Sequence, residues 1–214
     1  MDDDLYAETV LHLDGHHARA CIAGDHTNVF LVSRDDEVLE SKERPAAGHV
    51  PPTAALLQGL SLAKIYDFAT TVDTDRSEFI TEAERLNSAL VDAGRDGSYG
   101  IGEGAAILGS IDRGMASDDL CTRMTAYTAA ASDARMGGAP LPAMTNSGSG
   151  NQGIVATVPV TVAADYAGVD HERRVRALAL SHAVALYAHA GLPLLSAYSH
   201  APTAARTATA RSSR

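Results

Sequence analysis

The stretch Met144-Thr-Asn-Ser-Gly-Ser-Gly-Asn-Gln-Gly-Ile154 holds the densest group of residues able to do chemistry. Small residues leave backbone N–H groups open, and just before a helix such groups form a site for an anion, a carboxylate or a phosphate. Ser147, Gly148, Ser149, Gly150 and Gly153 would form the cradle, with Asn151 and Gln152 adding side-chain donors. An ordinary capped loop would have the same composition. Upstream, Asp133 and Arg135 precede Gly137-Gly138. The guanidinium can clamp a carboxylate through two parallel bonds, and the aspartate can hold that arginine or meet an ammonium. Equally, Arg135 can serve the C-terminal dipole of a helix ending there. His26, followed by Thr27 and Asn28 at a strand entry, can act as acid or base or as a turn residue stabilising Asp25.

The remaining histidines and thiols read more plainly. His182 lies on an apolar helical face and is expected to be a satisfied core histidine; His16-His17 reads as an exposed turn. The nine histidines show no Cys/His spacing typical of zinc. Cys21 and Cys121 are expected to be buried structural thiols, since neither has the basic neighbourhood that makes a reactive thiolate.

The elements that would carry these residues fall in two groups. Tyr6, Glu8, Val10 and His12 alternate with small or apolar neighbours, Asp14-Gly15 is a turn signal, and Arg19–Ala23, Asn28–Ser33 and Glu37–Ser41 follow as short strands. They predict an antiparallel meander. After Pro45 to Thr53 the period changes: Leu56, Leu57, Leu60, Ile65 and Phe68 suit one or two short helices. Phe79, Ile80, Ala83, Leu86, Leu90 and Val91 give a better one over Ser77–Ala93, stopped by Gly94. Gly100–Ile111 reads as helix. Ser117 is the expected N-cap of the next helix, with Asp118 and Asp119 in its first turn and Gly137-Gly138 at its end. Over Gly153–Ala167 two readings stand, strand from Val155, Val158, Val160 and Val162, or helix from the length, with Pro159 as a kink. Val175, Leu178, Ala179, His182, Leu186 and Ala190 form a final helical face with Arg173, Arg174 and Arg176 at its wet start.

The expected fold is α+β, a small N-terminal antiparallel β-meander followed by a mostly α-helical catalytic-type bundle. Its parts are 1–44 as a partial β subdomain, 45–53 as a linker, 54–197 as an incomplete helical domain, and 198–214 as a disordered, non-native tail. The tail has three arginines and no acidic residue in a chain of formal net charge −10. That acidity, without a basic stripe interleaved with aromatics, argues against nucleic acid and against anionic lipid. No apolar run reaches about 18 residues, the N-terminus lacks a signal-peptide pattern, and two cysteines make no disulfide framework. A reduced, cytoplasmic protein is expected.

Ser132-Asp-Ala-Arg-Met-Gly-Gly138 together with Ser147-Gly-Ser-Gly-Asn-Gln-Gly153 closely resembles the core of the L-cysteine desulfidase family, also known as the serine dehydratase-like alpha family (UPF0597-type). Gly24-Asp25-His26-Thr27-Asn28 is similar to that family's Gly-His-Thr-Asn strand entry, and Arg176–Ala197 to its following helix and loop. The resemblance implies an iron–sulfur-dependent lyase that eliminates a β-substituent from cysteine or serine, giving pyruvate and ammonia with sulfide or water. It places His26 and Asn28 on the substrate side. It also implies a 4Fe–4S cluster held by three cysteines, whose open iron acts as a Lewis acid.

The chain departs from that pattern. The family's Cys-Thr-Glu-Pro motif does not occur, and Ser199 stands at an expected cluster-cysteine position after Leu195-Ser-Ala197. The expectation is therefore a truncated, inactive member that binds no cluster itself, its reading frame ended early or shifted after Ala197. Two alternatives belong to other classes: a non-catalytic or regulatory subunit pairing with a separately encoded half, or a small amino-acid or anion binder. The partners expected are a small amino acid, cysteine or serine, and a second copy or a complementary subunit.

Overall fold

The computed structural model describes residues 5–24, 27–44, 55–57 and 59–190. The expected linker 45–53, the tail 198–214, His26 and Ser199 lie outside the described residues. The architecture is α+β, and the chain divides into two compact units.

The first unit is a four-stranded antiparallel sheet in the order β1-β2-β3-β4, with β1 Tyr6–Leu13, β2 His16–Ala23, β3 Val29–Arg34 and β4 Glu37–Ser41. Two-residue turns at Asp14-Gly15 and Asp35-Asp36 hold all four residues at positive φ, the backbone whose twist matches a hairpin. His16 and His17 are not turn residues. They open β2 opposite Leu13 and His12, because the turn needs only two residues and the ladder starts directly after it. Both fasten the next hairpin: His16 Nδ1 lies 2.7 Å from Asp35 Oδ2 and the His17 amide donates to Asp35 Oδ1 at 2.8 Å. These bonds hold the Asp35 carboxyl below the usual carboxylate range, the His17 amide first. Cys21 is buried, as expected, and takes a 3.8 Å contact from the Tyr6 hydroxyl.

The second unit is helical. Its described elements are α1 Leu62–Thr71, two short 3-10 turns at Thr74–Arg76 and Glu78–Ile80, α2 Thr81–Gly94, α3 Glu103–Asp112, α4 Leu120–Met136, α5 Gly150–Ala167 and α6 His171–His189. Helix α4 packs against α2, α3 and α5. It does so with small side chains: Ala126, Ala130, Ala131 and Ala134 are fully buried. The partners match, since a Cβ on Gly94 or on Gly104 would collide with the backbone of Ala130. Close backbone approach replaces the large side chains this chain lacks. Leu90, Val91, Ile154 and Val158 fill the core around α4, and Ile80, Ala83, Val175 and Leu178 form a second cluster.

Four local expectations change. Phe79 is 74% exposed rather than part of the apolar stripe, because the chain enters α2 through a 3-10 turn and the 3.6-residue period starts only at Thr81. Asp119, not Ser117, caps α4: its Oδ1 accepts from the Thr122 amide at 2.8 Å while Asp118 pairs with Arg123. Cys121, in the first turn of α4, is exposed rather than buried. The start of α6 is not wet throughout, because Arg174 bonds Glu84 on α2 and Asp165 on α5, and Arg176 donates to Val72 O at 2.9 Å and Ala69 O at 3.3 Å. Those two carbonyls close the end of α1, a role suited to a cation. The run of undecided structure is helix: α5 carries Pro159 inside it, and the helix ends at Gly168 with φ 60°.

Candidate functional site

The Ser147–Gly153 loop is a tight turn feeding a helix. Asn146 and Ser149 exchange two backbone bonds of 3.0 Å each. Between them Ser147 and Gly148 take φ of 51° and 76°, a two-residue turn of the primed type. A serine at positive φ is uncommon and costs free energy that its surroundings must offset. Ser149 then caps α5, its hydroxyl accepting from the Gln152 amide at 3.3 Å. That leaves the first amides of α5, those of Gly150 and Asn151, as the donors a helix start presents to an anion.

Arg135, at the end of α4, reaches this helix start. Its Nη1 donates to Asn151 Oδ1 at 3.0 Å and touches Met136 Sδ at 3.1 Å. The guanidinium lies directly over Gly150, where a Cβ would come within 2.6 Å of Arg135 Cζ. Glycine at 150 therefore makes room for the cation. Gly153 serves differently: a Cβ there would collide with the Met144 carbonyl, so this glycine lets α5 press on the segment before the turn.

Asp133 does not face the loop. It is buried, with Oδ1 accepting from the Ile101 amide at 3.2 Å and Oδ2 from the Gly104 amide at 3.1 Å. Helix α3 begins after Gly102, which has no capping side chain, and Asp133 caps it from another helix. Gln152 also turns inward, Nε2 donating to Asn146 Oδ1 at 2.7 Å and to Ala185 O at 3.4 Å. Its Oε1 is buried without a partner among the described residues. Asn28 lies in the sheet unit, where its Nδ2 donates to Ala23 O at 2.9 Å and closes the β2–β3 connection.

Sequence reasoning missed what anchors the turn. Asn146 Nδ2 contacts His182 Nδ1 at 3.2 Å and donates to His182 O at 3.1 Å. On the other side of the ring, His182 Nε2 lies 2.9 Å from Thr157 Oγ1. That hydroxyl also donates to Gly153 O at 2.7 Å and accepts from Asn87 Nδ2 at 3.1 Å. An amide nitrogen only donates, so His182 Nδ1 is the acceptor and Nε2 carries the proton. His182 is thus neutral, and burial pushes its pKa down to about 4. Asn87 Oδ1 completes the tie by accepting from the Met144 amide at 3.0 Å. Helices α2 and α6 together fix the segment that leads into the turn.

The family described as serine dehydratase alpha chain matches residues 31–213, a range containing the turn, Arg135 and the buried network. The chain belongs to the serine dehydratase alpha chain family. A UPF0597 protein of Cutibacterium acnes is 94% identical over 98% of this chain and 59% of its own length. Those of Dichelobacter nodosus and Latilactobacillus sakei are 48% and 46% identical, over 95% and 98% of this chain and 47% and 49% of their own. The chain spans about half the length of these two curated relatives and 59% of the first. No solved structure matches it.

The chain's own residues do not fit the iron–sulfur cluster that its resemblance implies. A 4Fe–4S cluster takes thiolates on at least three corners, and this sequence has two cysteines. Cys21 is enclosed in the sheet unit and Cys121 stands at the exposed start of α4 in the helical unit. Among the described residues no group of three His, Cys, Asp or Glu side chains is placed to hold a metal, and no helix is long and apolar enough to cross a membrane.

Proposed function

We propose that the helical unit holds the carboxylate of a small amino acid, L-cysteine or L-serine, at Ser147–Gly153. The observation that carries this reading is Arg135 laid over Gly150 at the capped start of α5. A cation and two helix-start amides are then gathered at one point, a set suited to a carboxylate, while the Ser147 hydroxyl donates to Asn146 Oδ1 at 3.3 Å. These groups bind and orient; none of them is a proton donor or acceptor near neutral pH. The reaction class follows from the resemblance: β-elimination giving pyruvate and ammonia with sulfide or water. His26 and Asn28 are assigned to the substrate side on the same ground.

Because this span lacks the thiolates for a cluster, it works in this reading as one part of a lyase whose remaining polypeptide supplies them. The family's description as an alpha chain and the greater length of the relatives favour a complementary part over a free-standing binder. Anaerobic reconstitution with iron and sulfide, followed by assay of pyruvate from L-cysteine and L-serine, tests it. The chain alone is expected to gain neither cluster absorbance nor turnover, and co-expression with the remainder of the Cutibacterium relative is expected to give both. Turnover with cluster absorbance from the chain alone would contradict the reading.

A further inference from the structure

Two of the most exposed apolar side chains of the helical unit stand beside the arginine of the candidate site. Ile101 is 89% exposed and Met136 68%. A close contact brings them together: a Cβ on Gly137 would collide with the Gly100 amide, and one on Gly100 would come within 2.6 Å of Asp133 Oδ1. Ile101 follows Gly100 and donates its own amide to Asp133, while Met136 precedes Gly137 and touches Arg135 through sulfur. Leu141, also exposed, lies on the segment returning to the turn. The patch is held rigidly, since Asp133 fixes both Ile101 and the start of α3. Two apolar groups held in water, one of them in contact with Arg135, mark a surface made for contact.

The chemistry of the site asks for a second wall. Arg135 keeps its proton, both Asp133 oxygens are bonded to backbone amides, and His182 is enclosed with both ring nitrogens engaged. Among the described residues around the turn, none is left to transfer a proton. The relatives indicate where that wall comes from, because two of them carry as much chain again outside the matched region as within it.

We infer that the Ile101–Met136 patch beside Arg135 is the docking surface for the polypeptide corresponding to the part of the relatives that this chain does not match. The inference rests on the complementary-part reading above and adds the surface at which the two meet. This chain is co-expressed with the remainder of the Cutibacterium relative, and the complex is measured for the parent and for Ile101→Glu, Met136→Glu and, as a control on another exposed apolar residue, Phe79→Glu. The two patch variants are expected to keep the parent's thermal midpoint and to bind the remainder at least about tenfold more weakly, with Phe79→Glu binding as the parent does. Peroxide oxidation of Met136 is expected to slow in the complex. Parent-like binding by both patch variants, with Met136 oxidised at an unchanged rate, would overturn the surface and leave the complementary-part reading standing. If the parent captures no remainder, the same two glutamates are placed at the matched positions of the full-length Cutibacterium protein. A lowered thermal midpoint there, absent in this chain, supports the surface and removes only association in trans; unchanged midpoints overturn the surface.

Discussion

Acidification should release the turn by protonating His182. Protonation would put a hydrogen on Nδ1, pointing at the Asn146 amide that now donates to it, 3.2 Å away. Two donors then face each other in a buried site, and the Asn146 amide must rotate, breaking its 2.7 Å bond from Gln152. The ring's pKa falls from the ordinary 6.5 to about 4 on folding. The unfolded chain therefore binds more protons between these values, and stability rises with pH across that window. This contribution is fully present above pH about 6.5 and fades as pH drops. At 1.36 kcal/mol per pKa unit it amounts to about 2 kcal/mol lost by pH 5 and about 3 kcal/mol by pH 4. Urea unfolding of the parent and of His182→Gln from pH 7.5 to 4 measures it. The parent should lose stability steadily below pH 6.5, and the variant should be flat down to the carboxylate range. Exposed carboxylates held low by partners, such as Glu82 beside Arg85 and Asp118 beside Arg123, contribute only further down. Nitrogen shifts of the ring supply a second readout, expected to show the neutral Nε2–H form at pH 5.5. Equal slopes for parent and variant, or a charged ring at that pH, would refute the argument.

Other positions report on single links. Gly94→Ala gains about 1 kcal/mol of helix propensity but drives a methyl into the Ala130 carbonyl, an overpacking cost of about 3 kcal/mol; calorimetry should show a lower thermal midpoint. Asp133→Ala strips both acceptors from the Ile101 and Gly104 amides, and about 2 kcal/mol should be lost in urea unfolding, with faster amide exchange at the start of α3. Gly150→Ala should displace Arg135, whose guanidinium occupies the space a methyl needs, and weaken carboxylate binding with little loss of stability.

The sheet could be read from the sequence because its signals are local. Strand alternation and the Asp14-Gly15 turn act within a few residues, and Glu37–Ser41 is a strand with the bounds expected. Helix starts were less legible: Ser117 was the expected cap of α4 and Asp119 a first-turn residue, and the backbone shows that Asp119 itself precedes the first helical turn. Helix α5 was undecided because its apolar and small residues run all round it, leaving no stripe to count. The loop itself was visible as composition. What fixes it was not, because His182, Asn87 and Thr157 reach the turn and its flanks from three helices, and Asp133, which caps α3, likewise reaches amides about thirty positions away. Such partners carry no spacing signature in one sequence.

In the proposed site Arg135 and the start of α5 hold an amino-acid carboxylate. Calorimetric titration of L-serine into the parent chain and into Arg135→Gln measures that contact. Saturable binding is expected for the parent, and a loss of about 1.5–3 kcal/mol, tenfold or more in affinity, for the variant. Equal affinities for the two proteins, or no binding to the parent, would contradict it.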